Sequence, residues 1–501
     1  MIDAVQSLLT WADREPQRPL LSAGGRTYSY AAVVSQAGGV VAQLRGAGFE
    51  RGQHVAMLLE DYDSFFVSMY AIWLAGGVAV PLNTSLPASD IEWLIGKARP
   101  ALLLVPGSGA KLPAGAAQVA AAASQASPAP ARLVVDLPEA PPQPPAFTPV
   151  GADETAMIMF TSGTTGVPKG VRQTLAGISV NAGHVSAELG LTAEDRIFVN
   201  TPPYFTSGIC HFLTLLAAGG STVGHAGFFF GQNLLAEMEA MGCTGFGGAP
   251  AHLVRVVEPL EEAQPTGGLR FWISSGDHLP VRVIEKTLAV LPGVALYNMY
   301  GLTEVSGRLC VLPADEIGRR EGSVGRPIHD MTVTVRRPDL APAAAGEVGE
   351  IYVDGPLVMQ GYLDEPEITA RTLTPHGLRT GDFGRQDEDG YLWIEGRQDD
   401  IFKRGGEKVS TVHIQQGLMS LGMFRDAAVL SVEDEILGRV PVAFVVPADD
   451  EPFKGTQVLK RLKSVLPATH LPSRVVALEA IPRTGSGKAI QAQLLATLEQ
   501  G

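Results

Sequence analysis

Residues Phe160 to Gly170 read FTSGTTGVPKG and continue the apolar run Met157-Ile158-Met159. The apolar run is expected to form a buried strand, and the residues after Phe160 a flexible loop. Glycines let backbone N–H groups approach phosphate oxygens closely, while hydroxyls and a lysine add donors and charge. The loop suits a polyphosphate, with an ordinary surface turn as the alternative when the stretch is taken alone. It is not a P-loop. Pro168 stands where GxxxxGK[ST] needs its second glycine, and Gly170 where it needs Ser or Thr. Gly485-Ser486-Gly487-Lys488 also resembles a P-loop, but it has Pro482 and Ala489 at the outer positions and fails at both ends.

The 501 residues suffice for two or more domains with a large core. Apolar residues at 46% and charged residues at 18% suit a soluble enzyme rather than a disordered chain. The net charge of -14 argues against nucleic acid as the main partner but not against ATP, whose site is set by local loops. Cys210, Cys243 and Cys310 lie far apart, with no CxxC or Cys/His spacing for a metal, and read as reduced buried thiols. The N-terminus lacks the basic and apolar regions of a signal peptide. Its Val5, Leu8, Leu9 and Trp11 suit a short amphipathic helix. The longest apolar run, Ala71 to Leu82, is too short to span a bilayer, so no membrane segment and a cytoplasmic location are expected.

Strand–helix–strand order over His54–Leu59, Phe65–Leu74 and Val78–Leu82 points to α/β architecture with a parallel sheet. Residues 106–150, rich in Ala, Pro, Gly and Ser, read as a loosely packed connector, an excursion within a domain. Residues 331–396 turn β-rich, with strands at Thr332–Val335, Gly349–Val353 and Tyr391–Ile394. A charged, glycine-rich hinge follows, then enough chain for a small α+β domain.

Further motifs lie downstream. Tyr297 to Glu304 reads YNMYGLTE, Leu378 to Arg397 reads LRTGDFGRQDEDGYLWIEGR, and Pro482 to Lys488 reads PRTGSGK. A carboxylate beside a polyphosphate needs a divalent cation between them, which makes Glu304 a natural magnesium ligand. With the loop at Phe160–Gly170, these blocks resemble, in order and over nearly the whole chain, the adenylate-forming superfamily. That superfamily contains acyl-CoA synthetases, stand-alone adenylation enzymes and luciferases.

The resemblance implies a large multi-layer N-terminal domain, 1–396, of parallel sheets with helices and a β-rich subdomain at about 331–396. A hinge at 397–400 about Asp399 and a small mobile α+β domain, 401–501, would follow. It implies that Thr161, Ser162, Gly163, Thr164, Thr165 and Lys169 bind phosphate. Thr303 would lie near the α-phosphate and Glu304 on magnesium, with Tyr300 and Gly301 beside the nucleotide. Ser275, Gly276 and Asp277 would flank adenine, Asp382 would accept from the ribose hydroxyls, and Arg397 would contact the same nucleotide. Lys488 would bridge carboxylate and phosphate as the catalytic lysine, and Gly405-Gly406 would meet the thiol after the small domain turns. A dyad of Asp277 and His278 is not expected, because adjacent residues on a strand point to opposite faces.

Transfer of AMP to a carboxylate, with loss of pyrophosphate, makes a mixed anhydride that a thiol can attack. The expected enzyme is therefore an acid–thiol ligase using ATP, Mg2+ and coenzyme A. A carrier-protein thiol supplied in trans is the alternative acceptor, and a non-catalytic nucleotide- or acid-binding homologue the alternative class. The resemblance departs at three places. Phe205 stands where the family often has histidine and is expected to wall the acid pocket with Gly208, Gly247, Gly248 and Met299. No aspartate lies between Thr201 and Leu216, which disfavours an α-amino acid. His413 and Gln415 replace an acidic pair after the hinge loop. The small residues Gly247 and Gly248 either leave room for a wide aryl, fatty or polycyclic acid or serve packing.

Overall fold

The computed structural model describes residues 3–107, 112–122, 131–135, 137, 146–161, 168–224, 234–257, 259–262, 264, 267–397, 401–404, 407–434, 438–448, 454–483 and 489–499. The larger, N-terminal part of this mixed α/β chain is built on two sheets.

The first sheet has seven strands, in the order Gly361–Tyr362, Lys169–Thr174, Thr155–Thr161, Val78–Pro81, His54–Met57, Leu102–Pro106 and Ala131–Val135. From Thr155–Thr161 to Ala131–Val135 neighbouring strands run parallel, while Thr155–Thr161 and Lys169–Thr174 form an antiparallel hairpin. Val78–Pro81 is buried at every position, as expected of a parallel strand covered on both faces. The stretch 106–150 is more structured than its composition suggests. It contains the helix Ala114–Ala122, favoured by its alanines, and the edge strand Ala131–Val135 of this same sheet.

The second sheet has fourteen strands. Its parallel centre contains Ser221–Gly224, Arg196–Val199, Gly245–Gly248, Phe271–Ser275 and Ala295–Tyr300. Beyond Ala295–Tyr300 it turns antiparallel through Cys310–Leu312 and Ser323–Pro327. Pairing of Ser323 with Trp393 and Gly325 with Leu392 carries it into the β-rich region. The helix Tyr62–Leu74 is buried on all sides except at Asp63 and Ser64, which suits a helix enclosed by other layers. Its Phe66 stacks on Phe212 of helix Thr206–Ala218 with centroids 3.8 Å apart.

The smaller C-terminal domain has a three-stranded sheet of Phe424–Asp434, Gly438–Pro447 and Arg474–Ala477, flanked by helices Thr411–Ser420 and Gly455–Leu462. Phe402, Val409, Ile414, Leu418 and Phe424 contribute to a core of its own. It meets the larger part where Ser410 Oγ donates to the Glu395 carbonyl and Arg483 lies 3.4 Å from Asp277 Oδ2. The three cysteines are free and buried, and burial raises each thiol's pKa. No helix among the described residues is long and apolar enough to cross a membrane.

Candidate active site

Ligands of open α/β sheets sit beyond the carboxyl ends of the strands, and Thr161, Ser275 and Tyr300 are each the last residue of a strand. Thr161 and Lys169 are opposed in register and close the hairpin of Thr155–Thr161 and Lys169–Thr174. Lys169 and Gly170 therefore belong to a strand, not to the flexible loop that the sequence suggests. Ser162, Gly163, Thr164 and Thr165 lie outside the described residues, as do Asp399, Gly405, Gly406 and Lys488.

Tyr362 stands out only in the structure. Its short strand pairs with Val171 and brings the ring to 5.5 Å from Lys169 Nζ. Its hydroxyl donates to Glu304 Oε1 at 2.9 Å. Burial, and then the Glu304 carboxylate, raise the Tyr362 pKa, so the group stays a donor. Glu304 lies in the 3-10 turn Thr303–Val305, and its carbonyl accepts from Met359 N. Among the described residues no cation pairs with its carboxylate. That leaves oxygen lone pairs of the kind Mg2+ takes, so the donor set fits the ion.

The second group of residues surrounds Asp382, which is buried and opposes Arg397 across two strands. Arg397 Nε lies 3.1 Å from Asp382 Oδ1, and the Tyr300 hydroxyl donates to Oδ2. Tyr300, Asp382 and Arg397, read from separate motifs, thus form one chain. Nearby in the sheet, the Ser274 and Ser275 hydroxyls are buried without a hydrogen-bond partner among the described residues. Gly276 follows at φ +96°, with nothing within 4 Å of an added Cβ. The two side chains point to opposite faces of the strand, and the Ser275 hydroxyl next to the open Gly276 backbone fits a flat polar ligand such as adenine. Gly301 has a different reason to be glycine: an added Cβ would lie 1.7 Å from the Gly307 carbonyl oxygen.

Thr303 lies between Tyr300 and Glu304 in the chain. Its Oγ1 is 3.2 Å from Thr206 Oγ1, and its carbonyl accepts from Gln173 Nε2 at 2.7 Å. Thr206 opens the helix Thr206–Ala218, whereas Phe205 occupies the preceding cap position and packs on Tyr204 with centroids 4.9 Å apart. Thr206, missed in the sequence, is thus the residue of this block in contact with Thr303. An added Cβ on Gly208 would lie 2.6 Å from the Pro202 carbonyl, and Met299 is buried. The space beside Gly247 is filled by the His211 ring, 2.8 Å from an added Cβ. His252 Nδ1 fills that beside Gly248 at 2.6 Å. The His211 and His252 rings thus pack against the two glycines.

Asp277 and His278 do not lie on a strand, because Phe271–Ser275 ends before them. Their contact is from the His278 backbone N–H to Asp277 Oδ1, and Asp277 Oδ2 faces Arg483. His413 sits in the first turn of Thr411–Ser420, where Ser410 Oγ accepts from its N–H at 3.1 Å. Its ring lies 5.2 Å from that of His470.

Residues 8–363 match the AMP-binding enzyme family, and residues 413–488 match the AMP-binding enzyme C-terminal domain. The chain belongs to the AMP-binding enzyme family. This member is 30% identical over 497 residues to a feruloyl-CoA synthase of Amycolatopsis sp, with 98% of each chain covered. It is 27% identical over 462 residues to a 2-succinylbenzoate–CoA ligase of Bacillus cereus (strain AH820), with 92% of each covered. Its fold is similar to O-succinylbenzoate coenzyme A synthetase from Bacillus subtilis in complex with ATP and magnesium, at TM-score 0.86 and 25% identity, covering 98% of this chain and 99% of that one. ATP-bound MatB from Rhodopseudomonas palustris superposes at TM-score 0.88 with 27% identity and 99% of each chain covered. This AMP-binding enzyme is an acid–thiol ligase of the AMP-forming type.

Proposed function

We propose that the acid this ligase activates is an aromatic carboxylic acid. The enzyme joins it to AMP from ATP, releasing pyrophosphate, and passes the acyl group to the thiol of coenzyme A. The reading is supported by two contact chains, Lys169–Tyr362–Glu304 and Tyr300–Asp382–Arg397, which Thr303 joins in sequence between Tyr300 and Glu304. The first set supplies positive charge and a carboxylate for Mg2+, which neutralises phosphate charge when bound. The second set holds a ribose through Asp382. Thr303, steadied by Thr206 and Gln173, faces the reacting phosphate and carboxylate. Positioning and charge neutralisation dominate this chemistry.

The aromatic assignment is supported by the similarity to a feruloyl-CoA synthase, a 2-succinylbenzoate–CoA ligase and an indoleacetate–CoA ligase of Aromatoleum aromaticum. The Tyr204 and Phe205 rings beside Thr206 agree with it. We assign Lys488 to the transition state, Asp399 to a hinge at 397–400 and Gly405-Gly406 to the thiol step, with the domains divided at 396 and 401. The test is acid-dependent exchange of pyrophosphate into ATP without coenzyme A. Aromatic acids should support exchange at least tenfold faster than straight-chain acids of equal carbon number, and the reverse order would overturn the assignment.

A further inference from the structure

His184, His329 and Asp330 come together from distant parts of the chain, and each offers a ligand atom within 4.8 Å of the others. His184 lies on the helix Leu175–Glu188 and is 9% exposed. His329 and Asp330 are the two central residues of a turn closed by the Met331 N–H, which donates to the Ile328 carbonyl at 3.1 Å. The Ile328 N–H donates to the Leu309 carbonyl at 2.9 Å, so the turn is fixed beside the strand Cys310–Leu312. Asp330 adopts φ +63°, a left-handed backbone that aspartate tolerates better than most residues. Its carboxylate meets both imidazoles. Oδ1 lies 2.9 Å from His329 Nδ1, and Oδ2 lies 3.6 Å from His184 Nε2. The two rings are 5.1 Å apart, at 72° to each other.

A separation of 3.6 Å is too long for a hydrogen bond. It is close to the spacing, about 3.4 Å, of two ligands that bind one tetrahedral ion at about 2.0–2.1 Å. His184 Nδ1 is also buried without a hydrogen-bond partner among the described residues. Buried polar groups are normally paired, and an ion at the ring is one cause of an exception. His329 and Asp330 are 78% and 55% exposed, so an ion can enter from solvent and the His329 ring can turn onto it. Two imidazole nitrogens and a carboxylate suit zinc-like ions rather than magnesium or calcium, which take oxygen ligands. We propose that His184, His329 and Asp330 form a second metal site, which takes a divalent transition ion such as Zn2+ and ties the helix Leu175–Glu188 to the turn at 328–331. The three side chains leave the fourth position of a tetrahedral ion to water. His184 is nine residues beyond Leu175, about 14 Å along the helix axis from the end of the strand Lys169–Thr174. The ion is therefore a brace on the scaffold that carries the phosphate hairpin, and its ligands include neither Glu304 nor Asp382.

The test is a titration of the full chain with Zn2+ alone, after chelation and without ATP or acid, read by calorimetry and by the thermal midpoint. Wild type should bind one Zn2+ per chain, and its midpoint should rise as Zn2+ is added. His329→Ala removes an exposed ligand, and Asp330→Asn removes the carboxylate while tolerating the same backbone. Each should weaken binding at least roughly tenfold and abolish the thermal shift. Neither changes a buried side chain, so the outcome does not hang on whether a His184 variant folds. His376→Ala, which alters an exposed histidine outside the cluster, should bind as wild type does. Excess Mg2+ should leave the Zn2+ in place, because imidazole suits zinc and not magnesium. Absence of saturable binding by wild type, or unchanged affinity in either His329→Ala or Asp330→Asn, would overturn the site. Equal weakening by His376→Ala would overturn it too, as would displacement by Mg2+, which would put the Zn2+ on Glu304 instead.

Discussion

The Tyr362 hydroxyl donates to Glu304 Oε1 at 2.9 Å across 58 positions of chain, and the same ring lies against Lys169. A group that orients a metal-binding carboxylate tunes the ion it holds. Tyr362→Phe keeps the ring and removes the donor to the carboxylate. A hydrogen bond to a charged group is worth about 1.5–3 kcal/mol when buried, and the exposed side of this site lowers that. The KM for MgATP should rise roughly tenfold, with stability changed by less than about 1 kcal/mol. An unaltered magnesium and ATP requirement would remove Tyr362 from the site.

Gly301 is bounded by backbone, so its neighbour cannot turn aside. An added Cβ meets the Gly307 oxygen at 1.7 Å and its carbon at 2.7 Å. Gly301→Ala should therefore destabilise the fold by on the order of 3 kcal/mol, read from a urea midpoint, before any effect on the nucleotide is considered. Gly276→Ala meets no atom and is opposed by its φ of +96° alone, so it should cost less, on the order of 1–2 kcal/mol.

Asp195 clamps the start of three neighbouring strands. Its carboxylate accepts from Arg270 at 2.7 Å, from Thr244 Oγ1 at 2.8 Å and from the Thr192 N–H at 2.8 Å. Burial alone would raise its pKa, but Arg270, Thr192 and Thr244 outweigh burial and lower it. A lowered carboxyl pKa contributes stability that is fully present above its unfolded value, near 4, and lost as pH falls through the folded value. Asp195→Asn should cost about 2 kcal/mol at pH 7, since Arg270 is half exposed, and the gap to wild type should narrow below pH 4. A gap that does not depend on pH would contradict the clamp.

His252 has its pKa lowered from 6.5 to about 4 by burial, and then by Arg255, while its Nδ1 accepts from the Ala249 N–H at 3.0 Å. The unfolded chain takes up this proton before the native one does. The stability from His252 is therefore fully present above about pH 6.5 and lost as pH falls towards 4, by up to about 3 kcal/mol. Urea midpoints for His252→Gln should fall less steeply between pH 7 and 4.5 than those of wild type. Parallel profiles would show that another group sets the slope.

The YNMYGLTE and Asp382 blocks stand out in the sequence because each carries its chemistry in adjacent letters, while most of the phosphate-binding loop lies outside the described residues. The structure then brings Tyr300, Asp382 and Arg397 into one chain. Tyr362 was hidden because a lone tyrosine gains meaning only through pairing with Val171, far away in sequence. Gly247 and Gly248 look like open space until His211 and His252 arrive from other elements. The dyad argument about Asp277 and His278 assumed a strand that ends at Ser275, and strand ends are poorly marked in sequence. The helix Ala114–Ala122 was obscured by the Pro- and Gly-rich residues around it, although its own alanines favour a helix.

The most direct measurement is mass spectrometry of the products formed from MgATP, coenzyme A and a pool of aromatic and straight-chain carboxylic acids. The account predicts an aryl-CoA thioester and AMP in equal amounts. An acyl-adenylate that accumulates while coenzyme A is untouched, or a straight-chain thioester preferred over every aromatic one in a mixed pool, would contradict it.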